Sequence, residues 1–366
     1  MNSPIVFSNH GLRHSGGIER YLLTLVDALH ALGQRPTVVA HKFDTAIPEC
    51  AWVDPVHIRT WGLGGVWRDR WFDARLSRLK ARHGWYPLIA LSQTSAADIA
   101  ICGGTHPGYL AAIGQTPTWK DRLATALERR HLTNASVVIA HSALMAQQVQ
   151  QFHGIDPSKI QVLHPPVDTQ RFRAVSLAQR RALRDKLGLP SDRCVFLLAS
   201  TGHARKGLNT LVQALGHSEL PVLLVVAGRP VDVTAPNLRY LGYRSDIEDV
   251  YRAVDCTVMA SSYEPFGLVG VETVLCGTPL IGAEGMGCME VLTGDGVLPF
   301  TLDSSAREAA SLDQAIDQAL ARWRGDRLLI ADPMAALLYD PSPEAHLQAL
   351  LKWVDMLRAT REQGCA

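Results

Sequence analysis

The chain has 366 residues, 47% of them apolar and 19% charged, and totals of 36 Lys+Arg and 35 Asp+Glu leave a net charge of +1; this points to about two globular domains, excludes a disordered chain and gives no support to a nucleic-acid partner. No apolar run approaches the ~20 residues of a membrane span, and the N-terminus MNSPIVFSNHG lacks the basic-then-apolar order of a signal peptide. The seven cysteines, at 50, 102, 194, 256, 276, 288 and 365 with no CxxC, fit reduced thiols in a cytoplasm and not a structural zinc site.

In chain order, residues 5–7 are a short β-type run, followed by a loop holding Gly16 and Gly17. From 18 to 32 apolar residues recur at 18, 22, 25, 26, 29 and 32, the spacing of a helix, and Gly33 stands at its stop. Runs at 36–40, 87–91, 97–102 and 135–140 are mostly apolar and do not alternate. That pattern suits strands of a parallel sheet covered on both faces. Residues 66–85 read as a basic helix: Lys+Arg at 68, 70, 75, 78, 80 and 82 stand against Asp69 and Asp73, with Trp67, Trp71, Leu76 and Leu79 sharing much of one side.

His164-Pro165-Pro166-Val167-Asp168 reads as a linker, with a hinge near 165–172. The second half repeats the same grammar. Strands are expected at 194–199, 221–227, 238–241, 256–259 and 279–281, and helices at 207–216, 246–253 and 268–276. A last helix is expected from Pro343 to about Arg361, with apolar positions at 347, 350, 351, 354 and 357. The whole reads as an α/β chain of two doubly wound domains facing a central cleft, because ligands of such sheets bind beyond the carboxyl ends of the strands.

Four segments carry chemistry. In Glu264-Pro-Phe-Gly-Leu-Val-Gly-Val-Glu272 two carboxylates flank a strand-to-helix turn, and the amides of Phe266, Gly267 and Leu268 lie at a helix N-terminus that favours an anion. Ser200-Thr-Gly-His-Ala-Arg205-Lys206-Gly207 places two cations after a strand, suited to a diphosphate; it is not a P-loop, since GxxxxGK[ST] is absent. His14-Ser-Gly16-Gly17-Ile-Glu19-Arg20 offers backbone to a ligand, and Cys102-Gly-Gly-Thr-His106-Pro-Gly108 hangs a histidine beyond another strand. Each could by itself be ordinary: a capped turn, a solvated basic loop, a plain turn, a satisfied loop histidine.

Together, in this order and spacing, the four segments resemble glycosyltransferase family 4, retaining enzymes of the GT-B fold. Other stretches resemble the family too: Val137 to Ser142 its strand before a Ser-initiated helix, Lys159 to Phe172 its interdomain passage, and Asp246 to Asp255 its helix before the motif strand. The resemblance implies domains at 1–168 (acceptor side) and 169–344 (nucleotide sugar), with a helix at 345–366 returning to the first. It implies that Arg205 and Lys206 neutralise the nucleotide diphosphate, that Glu272 binds ribose hydroxyls, and that Glu264 contacts the donor sugar near the reacting face. By the same resemblance the Phe266, Gly267 and Leu268 amides hold sugar hydroxyls or phosphate, Gly16 and Gly17 approach the diphosphate, and His106 lies near the acceptor.

Adjacent Arg205-Lys206-Gly207, Leu338-Tyr339 to Glu344 and the Glu-Arg-rich stretch at 120–132 look most like the lipopolysaccharide core glucosyltransferases. Departures are Pro166 where Gly commonly stands, Cys288 and Met289 within Gly285-Met-Gly-Cys-Met-Glu290, and Gly-Gly-Thr-His where those enzymes often have an aspartate. The expected partners are a nucleotide-sugar donor, UDP-linked, and a saccharide or lipid-linked saccharide acceptor. No DxD is evident, so neither a metal nor another cofactor is expected. Lipid-linked acceptors reside at an anionic leaflet, so the helix at 66–85 is read either as lying on the inner face of the cell membrane or as packing its stripe on its own sheet. The alternatives for function are an inactive nucleotide-sugar-binding subunit of a polysaccharide assembly and a GT-B-like epimerase.

Overall fold

A computed structural model describes residues 4–216, 219–302 and 306–364; Cys365 and the end of the expected tail at 345–366 lie outside them. The chain divides into two compact units, Met1–Pro166 with Pro341–Ala366, and Val167–Asp340. The divisions fall a few residues earlier than 168 and 344. Val167 is already core of the second unit, and Asp168 accepts the backbone N–H groups of Gln170 and Arg171 that open it.

The first unit contains β1 (Val6–Ser8), β2 (Gly11–Leu12), α1 (Gly17–Ala31), β3 (Thr37–Ala40), β4 (Lys42–Phe43), β5 (Asp54–His57) and α2 (Gly65–His83). It continues with β6 (Leu88–Ala90), β7 (Ile99–Cys102), α3 (His106–Ala112), α4 (Trp119–Asn134), β8 (Val137–Ala140), α5 (Ala143–His153) and β9 (Ile160–Val162). Seven strands form a sheet of order β5-β3-β1-β6-β7-β8-β9, every pair parallel. The inner strands are buried along their whole length, as largely apolar runs between helical layers are. The two edges are not. β5 is mostly exposed and carries Pro55, tolerated where one side of the ladder is unpaired, and β9 is half-buried. Those are the strands of this sheet that apolar runs do not announce.

The second unit contains α6 (Leu177–Lys186), β10 (Cys194–Ser200), α7 (Leu208–Leu211), β11 (Val222–Gly228), β12 (Leu238–Gly242) and α8 (Ile247–Ala253). β13 (Cys256–Met259), α9 (Leu268–Leu275), β14 (Leu280–Ala283), β15 (Val297–Phe300) and α10 (Ala306–Arg324) follow. Its sheet has the order β12-β11-β10-β13-β14-β15, again all parallel. The unannounced strand is once more an edge with a proline, β15 with Pro299. The helix expected at 207–216 is one α turn followed by a π turn over Val212–Gly216. α6 buries no residue. It is tied down by Arg180 and Arg184, which reach opposite oxygens of Asp255 at 2.6 and 3.0 Å, while the Val195 N–H donates to the same carboxylate at 2.8 Å.

The last helix, α11 (Pro343–Gly364), belongs with the first unit. Leu347, Leu350, Val354 and Leu357 recur at helical spacing and join Leu22, Leu25, Val26 and Leu29 of α1 in one core. At its start His346 holds the Tyr21 hydroxyl at 2.7 Å and the His164 carbonyl at 2.8 Å. Burial pushes the His346 imidazole down to about 4, so the ring is neutral: one nitrogen donates to the carbonyl and the other accepts from Tyr21.

Candidate active site

In the second unit β10 and β13 are paired parallel neighbours, so the loops leaving their carboxyl ends meet. The loop after β10 carries Arg205 and Lys206; the loop after β13 carries Tyr263 and Glu264. Both cations converge on one oxygen: Arg205 Nη1 lies 3.2 Å from Glu264 Oε2, and Lys206 Nζ donates to the same atom. Arg205 also donates to the Tyr263 carbonyl, and the Ser262 N–H returns a bond to the Arg205 carbonyl at 2.9 Å. The Lys206 and Glu264 side chains are only 10% and 13% exposed, whereas Arg205 keeps 29%. One carboxylate between two cations leaves a net positive charge at this corner of the sheet.

Two glycines permit this closeness. Gly207 has φ +73°, and a Cβ there would sit 2.3 Å from the Ala260 carbonyl oxygen, so no other residue lets the two loops touch. Gly267, with φ +98°, turns the chain into α9 as an N-cap with no side-chain hydrogen bond. The amides of the first turn of α9 therefore keep the uncapped helix terminus that favours an anion. The segment Gly285 to Glu290 folds back onto this loop: the Gly287 N–H donates to the Glu264 carbonyl at 3.1 Å and the Cys288 N–H to the Phe266 carbonyl at 2.6 Å. Burial, with Glu264 nearby, pushes the Cys288 thiol up to about 12, so this cysteine fills space and is not a nucleophile.

Glu272 lies one turn into α9, 3% exposed, and accepts a hydrogen bond from the Tyr251 hydroxyl of α8 at 3.2 Å. Phe266 is buried against Tyr339, edge to face at 6.3 Å. His203, in the loop of the two cations, bonds the Ser200 hydroxyl through Nδ1 at 3.0 Å. Its Nε2 faces the Arg229 and Pro230 carbonyls at 3.1 and 2.9 Å, tying the ends of β10 and β11 together. No spacing in the sequence marks His203 for this duty, since its partners are backbone atoms and a hydroxyl brought near by the parallel sheet.

The remaining candidates lie in the first unit. Gly16 is the N-cap of α1 and lacks a side-chain cap; both Gly16 and Gly17 are exposed, and a Cβ at 17 would meet nothing within 4 Å. The chain's own packing therefore does not demand glycine at 17. His106 opens α3 behind the Thr105 N-cap. Its backbone N–H lies 3.1 Å from each oxygen of Glu128, and its Nε2 lies 2.8 Å from Asp121 Oδ1. The loop after β7 sits beside the start of α1, for a Cβ at Gly103 would be 3.4 Å from His141 and 3.9 Å from Ile18. Among the described residues no group of three or more His, Cys, Asp or Glu is arranged to hold a metal ion.

The stripe on α2 is divided. Phe72 and Leu76 are fully buried, and Trp71 and Leu79 pack against the same core with Val6, Val39 and Leu88; the Trp71 indole N–H donates to the Arg59 carbonyl at 3.0 Å. Trp71, Leu76 and Leu79 therefore cover their own sheet and are not available to a bilayer. The exposed apolar groups here are Trp61 (71%), Leu63 (40%) and Trp67 (60%), beside exposed Arg59 and Arg70. No helix among the described residues is long and apolar enough to cross a membrane.

Comparison with known proteins agrees with this layout. The model of Glycosyltransferase Family 4 matches residues 15–171, and that of Glycosyl transferases group 1 matches residues 179–327. A probable transglycosylase of Burkholderia thailandensis is 42% identical over 363 residues, which cover 98% of this chain and 99% of that protein. Among solved structures, the sucrose-phosphate synthase of Thermosynechococcus elongatus superposes with a TM-score of 0.78 at 19% identity, over 98% of this chain and 100% of that one. WaaG, a glycosyltransferase involved in lipopolysaccharide biosynthesis, gives a TM-score of 0.75 at 16% identity, over 94% and 99%. At such identities these two speak for the fold alone: two Rossmann-like α/β domains with parallel sheets.

Proposed function

This chain belongs to glycosyltransferase family 4, with the GT-B fold, and from that premise we propose that it moves a hexosyl group, with retention, from a UDP-linked sugar to a saccharide or lipid-linked saccharide acceptor of the lipopolysaccharide-core type. The observation that carries the donor half of this reading is the convergence of Arg205 and Lys206 on Glu264 beside the uncapped N-terminus of α9. Glycosyl transfer develops negative charge on the departing nucleotide diphosphate. Two fixed cations and a helix terminus aimed at that charge lower the barrier without reorganising. Here they do so without a metal ion.

Glu264, held between the cations, meets the donor sugar at the reacting face, and Glu272 takes the ribose hydroxyls. The amides of Phe266, Gly267 and Leu268 hold sugar hydroxyls or phosphate. In the first unit Gly16 and Gly17 give their backbone to the diphosphate, and His106 meets the acceptor. The lipopolysaccharide-type acceptor rests on the resemblance of the Arg205-Lys206-Gly207 and Leu338 to Glu344 stretches. The enzyme works in the cytoplasm at the inner face of the cell membrane, touching it through Trp61, Leu63 and Trp67 with the neighbouring arginines.

The test is a thermal-shift panel of uridine, UDP and nucleotide sugars, followed by transfer of the best donor's sugar to truncated lipopolysaccharide, with the anomeric configuration of the product read by NMR. UDP should shift the melting temperature well beyond uridine. Equal shifts would mean that the cations serve no phosphate, and an inverted product would remove retention.

A further inference from the structure

His106 is held at two points by one helix, and neither hold is visible in its own segment. Its backbone N–H lies 3.1 Å from both oxygens of Glu128, a carboxylate whose side chain is 4% exposed and which also accepts from Gln93 at 3.0 Å. This contact satisfies the first backbone N–H of α3 behind the Thr105 cap. The imidazole is held separately. Nε2 lies 2.8 Å from Asp121 Oδ1, with the two side chains 27% and 22% exposed.

Asp121 is itself set. It is the third residue of α4 in a capping box, accepting the Thr118 N–H and hydroxyl on Oδ2 at 2.7 and 2.5 Å. Those Thr118 bonds, with His106 adding to them, hold its carboxyl down at about 2. An ionised carboxylate has no proton to give, so at neutral pH the hydrogen in the 2.8 Å contact must come from the ring. The neutral imidazole is then the Nε2–H tautomer, with its lone pair on Nδ1. Among the described residues no protein atom is recorded on Nδ1.

We propose that Asp121 is a positioning residue for His106: its carboxylate, fixed by the α4 capping box, holds the imidazole in the Nε2–H tautomer so that Nδ1 accepts a hydrogen bond from the attacking hydroxyl of the acceptor. The inference rests on the reading that His106 meets the acceptor. The two remain separable, because the tautomer can be read without any ligand. The capping box explains how a part-exposed histidine keeps one orientation: the carboxylate whose Oδ2 begins α4 turns its Oδ1 to the ring. Orientation of a nucleophile of this kind is a transition-state effect, so it should appear in kcat and not in donor affinity.

The test compares wild type with Asp121→Asn, Asp121→Glu and His106→Gln. Nitrogen-15 NMR of the histidine side chains, assigned with the His106→Gln protein, reads the tautomer, and the amide spectrum of the same samples shows that each variant is folded. Wild type should show His106 protonated on Nε2 at neutral pH. In Asp121→Asn the amide can donate to Nε2 and so favours the opposite tautomer. Hydrolysis of UDP-glucose, with water standing in for the acceptor, should fall about 10- to 100-fold in kcat with KM within about twofold, and Asp121→Glu should recover part of it. An unchanged His106 tautomer in Asp121→Asn overturns the proposal, and so does an inverted tautomer with undiminished kcat. If His106→Gln hydrolyses UDP-glucose as fast as wild type while the tautomer still depends on Asp121, it is the acceptor-side role of His106 that fails.

Discussion

Replacing Glu264 with glutamine keeps the size of the side chain and removes the charge that both Arg205 and Lys206 face. Breaking a buried ion pair by removing one partner costs about 3–5 kcal/mol. Arg205 is 29% exposed, whereas Lys206 and Glu264 are 10% and 13%. Solvent therefore screens one arm of the arrangement, and about 2–3 kcal/mol is the expected loss for the second unit. At about 2–4 °C per kcal/mol for a unit of this size, Glu264→Gln should melt roughly 4–12 °C below wild type. The freed cations have another partner available. On the proposed reading the diphosphate of UDP would offer oxygens to both, so UDP should stabilise the variant more than wild type, where it would compete with the carboxylate for the cations. Differential scanning fluorimetry with and without saturating UDP measures both shifts; at 100 times the dissociation constant a ligand contributes about 2.7 kcal/mol. Turnover of the variant should fall even where UDP binds well. If UDP raises the melting temperatures of wild type and variant equally, the carboxylate and the diphosphate do not share these cations, and the reasoning is refuted.

Glu272→Ala should weaken nucleotide-sugar binding, whereas Glu264→Ala should chiefly lower turnover, as titration calorimetry beside initial rates would resolve; parallel loss of affinity would end that division of roles. Asp255→Ala strips the partner from Arg180 and Arg184, whose side chains are 11% and 12% exposed, and should destabilise the second unit by about 3–5 kcal/mol in urea unfolding; a change below 1 kcal/mol would mean that α6 is held otherwise. Burial holds His346 at about 4 and His141 at about 3, both below the usual 6.5. Because the unfolded chain takes up these protons first, the first unit should keep its full stability above about pH 6.5 and lose it as the pH falls toward 4, so a melting temperature flat from pH 7 to 4 would contradict the burial. Activity should survive EDTA, and a complete loss restored by a divalent ion would refute metal-free transfer. Flotation with anionic vesicles at low salt should need Trp61 and Trp67 and not Leu76 or Leu79, and protein left wholly in the soluble fraction would remove the membrane contact.

The sequence by itself determined the central strands and the motif-bearing loops. A strand buried on both faces draws mainly on apolar residues, so 36–40, 97–102, 135–140 and 194–199 announce themselves despite Thr37, Asp98 and Ser136. The edge strands β5, β9 and β15 do not, because an unpaired side admits exposed residues and, in β5 and β15, a proline. Helical spacing grouped Trp67, Trp71, Leu76 and Leu79, but a period says which residues share a side and not which way the side faces. The sheet beneath α2 decided that, taking Leu76 and Leu79 and leaving Trp67 outside. Likewise the residue types at 205, 206, 264 and 272 spoke for a diphosphate and hydroxyls, while their grouping was beyond reach. Glu264 is 58 positions from Lys206, and only the parallel pairing of β10 with β13 brings their loops together. His106 finds Asp121 and Glu128 at 15 and 22 positions, on a helix whose polar residues look solvated in the sequence. Local spacing records what the backbone does over a turn or two; which charges meet across a sheet is set by strand order, and that belongs to the folded chain alone.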